Sequence, residues 1–216
     1  MNWFEEFLSP EKAFGEVVNS THVGFGMQAY KYGYSSTPEY GSLVVVNCGD
    51  FISIGVVVGS EMSPAPGLPT VPTPMRSTRR QVEERYPDLE GRLLDIYTAI
   101  SVGYYSDGSF RYSRPTRKTL VHDLAFSASA AFIRDFHTVD DECALDYFPL
   151  IVHALPRSDL CPFADVYFSL LSEKFEAEER AELYESLSVS LARWGDEECV
   201  AELIDLANRH LMEGAI

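Results

Sequence analysis

Lysine is scarce in this 216-residue chain: there are four, and with thirteen arginines they face 33 aspartates and glutamates, leaving a formal net charge of −16. A surface so short of positive charge cannot hold a phosphate backbone along most of its length. The deficit is also uneven. Residues 1–118 hold eleven Lys and Arg against thirteen Asp and Glu, a net of −2, whereas residues 119–216 hold six against twenty, a net of −14. Nucleic acid, if contacted at all, must therefore be met by the N-terminal half, while the acidic half suits a protein partner. A salt-adapted surface would carry the same excess with no partner implied.

Other absences narrow the classes further. No apolar run approaches the length of a membrane span, and the first residues, MNWFEEFLSPEK, carry acids where an export signal needs bases, so the expectation is a cytoplasmic protein without a membrane. The four cysteines, Cys48, Cys143, Cys161 and Cys199, lie far apart with no CxxC pair, which argues against zinc and for free, buried thiols. A phosphate-binding loop needs glycines to turn backbone N–H groups inward and a lysine to reach the terminal phosphate, and none of the lysines stands in that pattern. Gly24 and Gly26 lack the third glycine and following helix of a dinucleotide site, and GxSxG is missing. No cofactor and no catalytic residue is assigned by motif.

What is present is strong patterning. Residues 40–62, YGSLVVVNCGDFISIGVVVGSEM, read as a β-hairpin around the turn formers Asn47 to Asp50. In its second arm Ile52, Ile54, Val56 and Val58 share one face, expected to point into the barrel; Ser53, Gly55, Val57 and Gly59 share the other, small enough for a helix or a neighbouring subunit to pack on. Strands are also expected near Glu16–Asn19, Val23–Tyr32, Thr98–Tyr105 and Ser109–Ser113, about six before residue 113 and enough for a small barrel. Five prolines in 62–75 predict an extended connector or a docking ligand, and 78–95 a short helix restarting after Pro87. Everything after Pro115 reads as amphipathic helix, with Pro149 expected to kink one helix, Pro162 to open another and Asp196 to cap the last. The expected fold is α+β: a small antiparallel β-barrel over 1–118, then an acidic antiparallel helical bundle over 119–216.

Two constellations could carry chemistry. Arg76, Arg79 and Arg80 follow the proline stretch, and Arg111, Arg114, Arg117 and Lys118 end the barrel segment; converging, they would hold an anion or an acidic partner, and apart they solvate a rim or pair with the acidic half. The aromatics Tyr104, Tyr105, Phe110 and Tyr112 interleave with them, as in single-strand binders. The run HTVDDECALD offers His137, Asp140, Asp141, Glu142 and Asp146 to a divalent metal and hence to a metal-dependent hydrolase; the other reading is an acidic helix N-terminus.

With these residues laid out, 12 to about 113 resembles a HAS-barrel, the small barrel that precedes the motor in HerA-type DNA translocases and is similar to the N-terminal barrel of rotary ATP synthase subunits. The resemblance rests on FGEVVNS, YGSLVVVN, FISIGVVVGSE and YPDLEGRLLDIYTAISVGYYSDGSF. It implies a barrel used for subunit packing. No motor or P-loop accompanies it, so ATPase activity does not carry over. The expected function is a non-catalytic accessory or assembly protein that docks a protein partner or itself, in the setting of a ring ATPase or DNA-processing complex.

Overall fold

Alternating apolar residues in the first 127 positions become six staves that close on themselves in this computed structural model, which describes residues 4–30, 37–65, 67, 76–85, 93–193 and 196–213. The staves are β1 (Gly15–Ser20), β2 (Gly24–Ala29), β3 (Leu43–Asn47), β4 (Ile52–Pro64), β5 (Leu93–Ser106) and β7 (Leu124–Ser127), with β6 (Ser109–Arg111) attached outside the ring to the end of β5. They run in the order β2-β1-β7-β3-β4-β5, every pair antiparallel, and β2 pairs with β5 to close the ring. The hairpin turn between β3 and β4 forms as its sequence suggests: the Gly49 N–H donates to Asn47 Oδ1 at 2.9 Å and the Cys48 N–H to the Phe51 carbonyl at 3.0 Å.

Three expectations change. The sixth stave comes from Leu124–Ser127, inside the stretch read as wholly helical, and not from the strand near 109–113. Four residues are too short to register as an alternating pattern, and the helix that follows them begins at once. Met62–Pro64, assigned to the connector, continue β4 and pair with Leu93–Asp95, the end of the segment read as helix; proline is tolerated there because it ends the strand. Between them only α1 (Arg79–Arg85) is helical among the described residues, and the remainder of 62–75 and of 78–95 lies outside them apart from Ala65, Gly67 and Thr78.

The two faces of β4 are exchanged relative to the expectation. The lumen holds Phe14 and side chains from all six staves, among them Val17, Phe25, Met27, Val44, Val57 and Ala125. Ser53, Gly55 and Val57 face it: a side chain on Gly55 would meet the Phe25 ring at 2.7 Å and Ala99 Cβ at 3.1 Å. Ile52, Ile54 and Val56 point the other way, into a second cluster that continues through Leu43, Val45, Val102 and Phe126 to the helices. Gly59 has no atom within 4 Å of where its side chain would be. Alternation separates two faces but does not say which is inside, and both are buried here.

The helices cover the outside of that wall. They are α2 (Ala130–His137), α3 (Phe148–Ala154), α4 (Arg157–Ser172), α5 (Ala177–Leu191) and α6 (Glu197–Ala207), the last running into a π-helical turn over Asn208–Glu213. Ser129 caps α2 by accepting from the Phe132 N–H, Asp196 caps α6 by accepting from the Cys199 N–H, and Glu176 and Glu179 form a capping box at α5. Pro149 stands in the first turn of α3 and kinks nothing, whereas Pro162 lies inside α4, which begins five residues earlier. The N-terminal 3-10 helix Phe4–Leu8 drives Phe7 between Phe126 of the barrel and Phe132 of α2, at centroid distances of 5.6 and 5.3 Å, and Asn47 Nδ2 donates to its carbonyl at 2.9 Å. No described helix is long and apolar enough to cross a membrane.

Candidate functional site

Barrel and helices meet around a buried polar chain. His137 ends α2 and is fully buried, with ring Nδ1 2.7 Å from the Ile133 carbonyl and Nε2 2.6 Å from the Tyr147 hydroxyl, which also bonds the Tyr167 hydroxyl. A carbonyl only accepts, so Nδ1 carries the proton and Nε2 accepts from Tyr147; Tyr147 then accepts from Tyr167. The proton order runs in one direction, from Tyr167 to Ile133. Burial pushes the His137 pKa down to about 4, against the upward effect of its carbonyl bond, so the imidazole is neutral near pH 7. Burial likewise raises both tyrosines. A neutral, saturated histidine among phenols can neither bind a cation nor shuttle a proton to solvent.

This geometry dissolves the expected acidic cluster around a metal. Asp140 and Asp141 occupy a two-residue hairpin turn between β8 (Thr138–Val139) and β9 (Glu142–Cys143), both at positive φ, 50° and 70°, as a type I′ turn requires. They are not at a helix N-terminus. Asp146 accepts from Ser186 of α5 at 3.1 Å. Among the described residues no three of His, Cys, Asp or Glu gather where they could hold a metal ion.

Above the polar chain lies a cleft of about 220 Å³ between the barrel rim and α2 and α4. Leu43, Ala128, Ile133, Leu170 and Leu171 make its apolar floor, and Thr37, Ser42, Ser127, His137 and Tyr167 line it as well. Its rim carries Glu39 and Lys174, both exposed. On another face, two adjoining hollows of about 420 and 490 Å³ form a groove along α5. One contains Asp140, Glu142, Glu182 and Glu185, the other Pro149, His153, Ser190 and Arg193, and they share Asp146 and Val189. Glu182 accepts from the Cys143 N–H at 2.8 Å, fixing β9 to α5. Val189 is 57% exposed in the middle of the groove.

Arg80 pairs with Glu84 within α1 at 2.9 Å, and Arg117 reaches Asp50 of the β3–β4 turn at 3.2 Å. Arg76, Arg111 and Lys118 are exposed, Arg114 is half-buried with its Nε unpartnered among the described residues, and Arg79 is described by its backbone alone. His122 is 2.7 Å from Glu16, which also accepts from Tyr30 at 2.7 Å; these bonds hold the Glu16 carboxyl below its ordinary value. All four cysteines are free, Cys143 and Cys199 buried and the other two half-buried. Sequence reasoning missed Tyr147, Tyr167, Glu39 and Lys174, since their convergence depends on how the helices lie across the barrel rim. The one signal for Lys174 was that it is the sole lysine after residue 118.

No protein-family profile matches the chain, and no curated protein matches it, so its reading rests on the closed barrel, the helical cover and the geometry of these clefts.

Proposed function

We propose that this chain is a non-catalytic docking or assembly protein whose helical half receives a basic, partly apolar segment of a partner protein in the groove along α5. The observation that carries this reading is the combination in that groove of the exposed Val189 with Asp140, Glu142 and Glu185, which have no ion-pair partner among the described residues. Carboxylates steer a basic partner and set its register, while a desolvated apolar contact at the centre supplies affinity. The net charge of −14 over residues 119–216 extends the same attraction across the surface around the groove. The buried His137 and the absence, among the described residues, of a gathered metal-ligand set favour docking over hydrolysis.

The closed barrel is compatible with the HAS-barrel resemblance carried by FGEVVNS, YGSLVVVN and FISIGVVVGSE. On that resemblance the partner is a subunit of a ring ATPase or of a DNA-processing complex. The barrel then acts as the frame that holds the helical cover in place.

Fluorescence anisotropy with a labelled peptide of alternating lysine and leucine tests the groove. Binding that weakens with salt is expected, falling roughly tenfold or more in the Glu142→Lys, Glu185→Lys, Val189→Ser triple variant. Glu182 and Asp146 are left intact because they support the fold. Equal binding of an acidic peptide of the same length, or an unchanged affinity in the triple variant, would sink the proposal.

A further inference from the structure

The cleft between the barrel rim and α2 and α4 carries one unpaired charge of each sign, Glu39 and Lys174, on a lining that is mostly apolar and whose neutral polar side chains include Thr37, Ser42 and Ser127. Glu39 and Lys174 both line it, and among the described residues neither side chain has a hydrogen-bond or ion-pair partner, not even the other. Opposite charges on one cavity that do not reach each other leave a gap bordered by a carboxylate and an ammonium. Lys174 is the sole lysine, beside five arginines, of a half-chain with a net charge of −14.

The interior sets the orientation of anything bound. Leu43, Ala128, Ile133, Leu170 and Leu171 offer only apolar contact, while Ser42 spends its hydroxyl proton on the Glu39 carbonyl at 2.7 Å and Ser127 is exposed. The polar end offers no charge, because His137 is neutral with both nitrogens occupied, and Tyr167 already spends its proton on Tyr147. A charged group would be stranded there; an alkyl group would not. A ligand must therefore place its apolar part inside and its charges at the rim. The volume, about 220 Å³, lies below the roughly 300–1,000 Å³ of pockets for drug-sized ligands. It suits a compact molecule with a branched aliphatic tail.

We infer that this cleft is a binding site for a small zwitterion with an aliphatic side chain, an apolar α-amino acid, held with its ammonium against Glu39, its carboxylate against Lys174 and its side chain on the floor formed by Leu43, Ile133 and Leu171. Each part of such a molecule has one counterpart in the site. A plain carboxylate leaves Glu39 facing it without a partner, and a plain amine does the same with Lys174.

The test uses the full chain and three probes of nearly the same shape: L-leucine, 4-methylpentanoate, which lacks the ammonium, and isoamylamine, which lacks the carboxylate. Amide chemical shifts are followed by NMR up to about 10 mM probe, a range that reaches millimolar affinity. L-leucine is expected to saturate with shifts around Ala128, Ile133 and Leu171, and each half-probe to bind roughly tenfold more weakly, the low end for a charged hydrogen-bond partner because both rim groups are exposed. Lys174→Met is expected to remove the preference for leucine over isoamylamine, and Glu39→Gln the preference over 4-methylpentanoate. Both residues are on the surface, so the variants fold. No saturable shift with L-leucine, or either preference surviving in its matching variant, would overturn the inference.

Discussion

The barrel's lumen and the layer outside its wall are both buried, yet they are built from different side chains. The lumen is filled by Val17, Val44, Val46, Val57, Ala99, Ala125 and Met27, with Phe14, Phe25 and Tyr97 among them. Six closed staves leave little room, so small and β-branched residues dominate, and Gly55 is needed where the Phe25 ring crosses. The outer layer is aromatic: Phe7, Phe126, Phe132, Phe136, Tyr147, Phe148, Phe163, Tyr167 and Phe168 are all buried in it. Large rings suit a wide seam between a curved wall and helices that cross it, where stacked and edge-to-face pairs form at centroid distances of 5.0 to 6.4 Å around Phe136 and Tyr147. The lumen is complete without the helices. The wall is not: uncovered, Ile52, Ile54, Val56 and Val102 would form an apolar patch of the kind that drives association. The helical half is thus a cover for the barrel and not an appendage.

The largest effect that separates the two regions is expected at Phe136. Its ring packs on Phe110, Tyr112 and Tyr147 and lies where a side chain on Gly103 of β5 would be, 3.2 Å away. Phe136→Ala is expected to lower the unfolding free energy by about 3–5 kcal/mol in a urea titration, lowering the barrel and helical signals together. Helical signals that weaken while the barrel keeps its wild-type midpoint would mean two independent units.

Next comes a pH effect confined to the seam. His137 has a pKa of about 4 when folded against an ordinary 6.5, so below pH 6.5 the unfolded chain takes up a proton that the folded chain refuses. Stability is therefore lost as pH falls from about 6.5 to about 4, by about 3 kcal/mol from this group alone. His137→Gln should be less stable at pH 7, yet the part of the slope between pH 6.5 and 4 that belongs to His137 should vanish, leaving the slope due to carboxylates. Parallel pH–stability curves for the two proteins would contradict the buried neutral state.

A smaller effect is expected in the lumen. Gly55→Leu forces the Phe25 ring or the β4–β5 pairing to shift and should cost about 1–3 kcal/mol. If the face of Gly55 met a neighbouring subunit instead, the substitution would change assembly and spare the stability of the monomer. Equilibrium unfolding together with size-exclusion elution distinguishes the two.

The contrast between lumen and outer layer also shows how far the sequence could be read. The β3–β4 hairpin, the order of barrel then helices, and the Asp196 cap are written in local pattern: alternation, turn formers and an acid before an amphipathic run. The direction of the β4 faces was not, because Ile54 and Val57 are equally apolar and burial on both sides leaves no polar face to mark the outside. The sixth stave, Leu124–Ser127, is hidden for the opposite reason, being four residues whose pairing with β1 and β3 is set entirely by distant segments. Candidate chemistry failed where adjacency was mistaken for convergence. His137 and Asp140 are three residues apart, but the helix end buries one and the hairpin turn exposes the other. Glu39 and Lys174 are 135 positions apart and share a cleft.

Native-state hydrogen exchange tests the claim that barrel and helices form one unit most directly. The amide of Val46 in β3 reports the barrel and that of Leu171 in α4 reports the cover, each within its own hydrogen-bonded ladder. Continuous packing of the outer layer from Ile54 through Phe136 to Leu171 predicts that both amides exchange only through global opening, with free energies equal to within about 1 kcal/mol. A Leu171 amide that opens several kcal/mol more easily than that of Val46, with the barrel still closed, would contradict it.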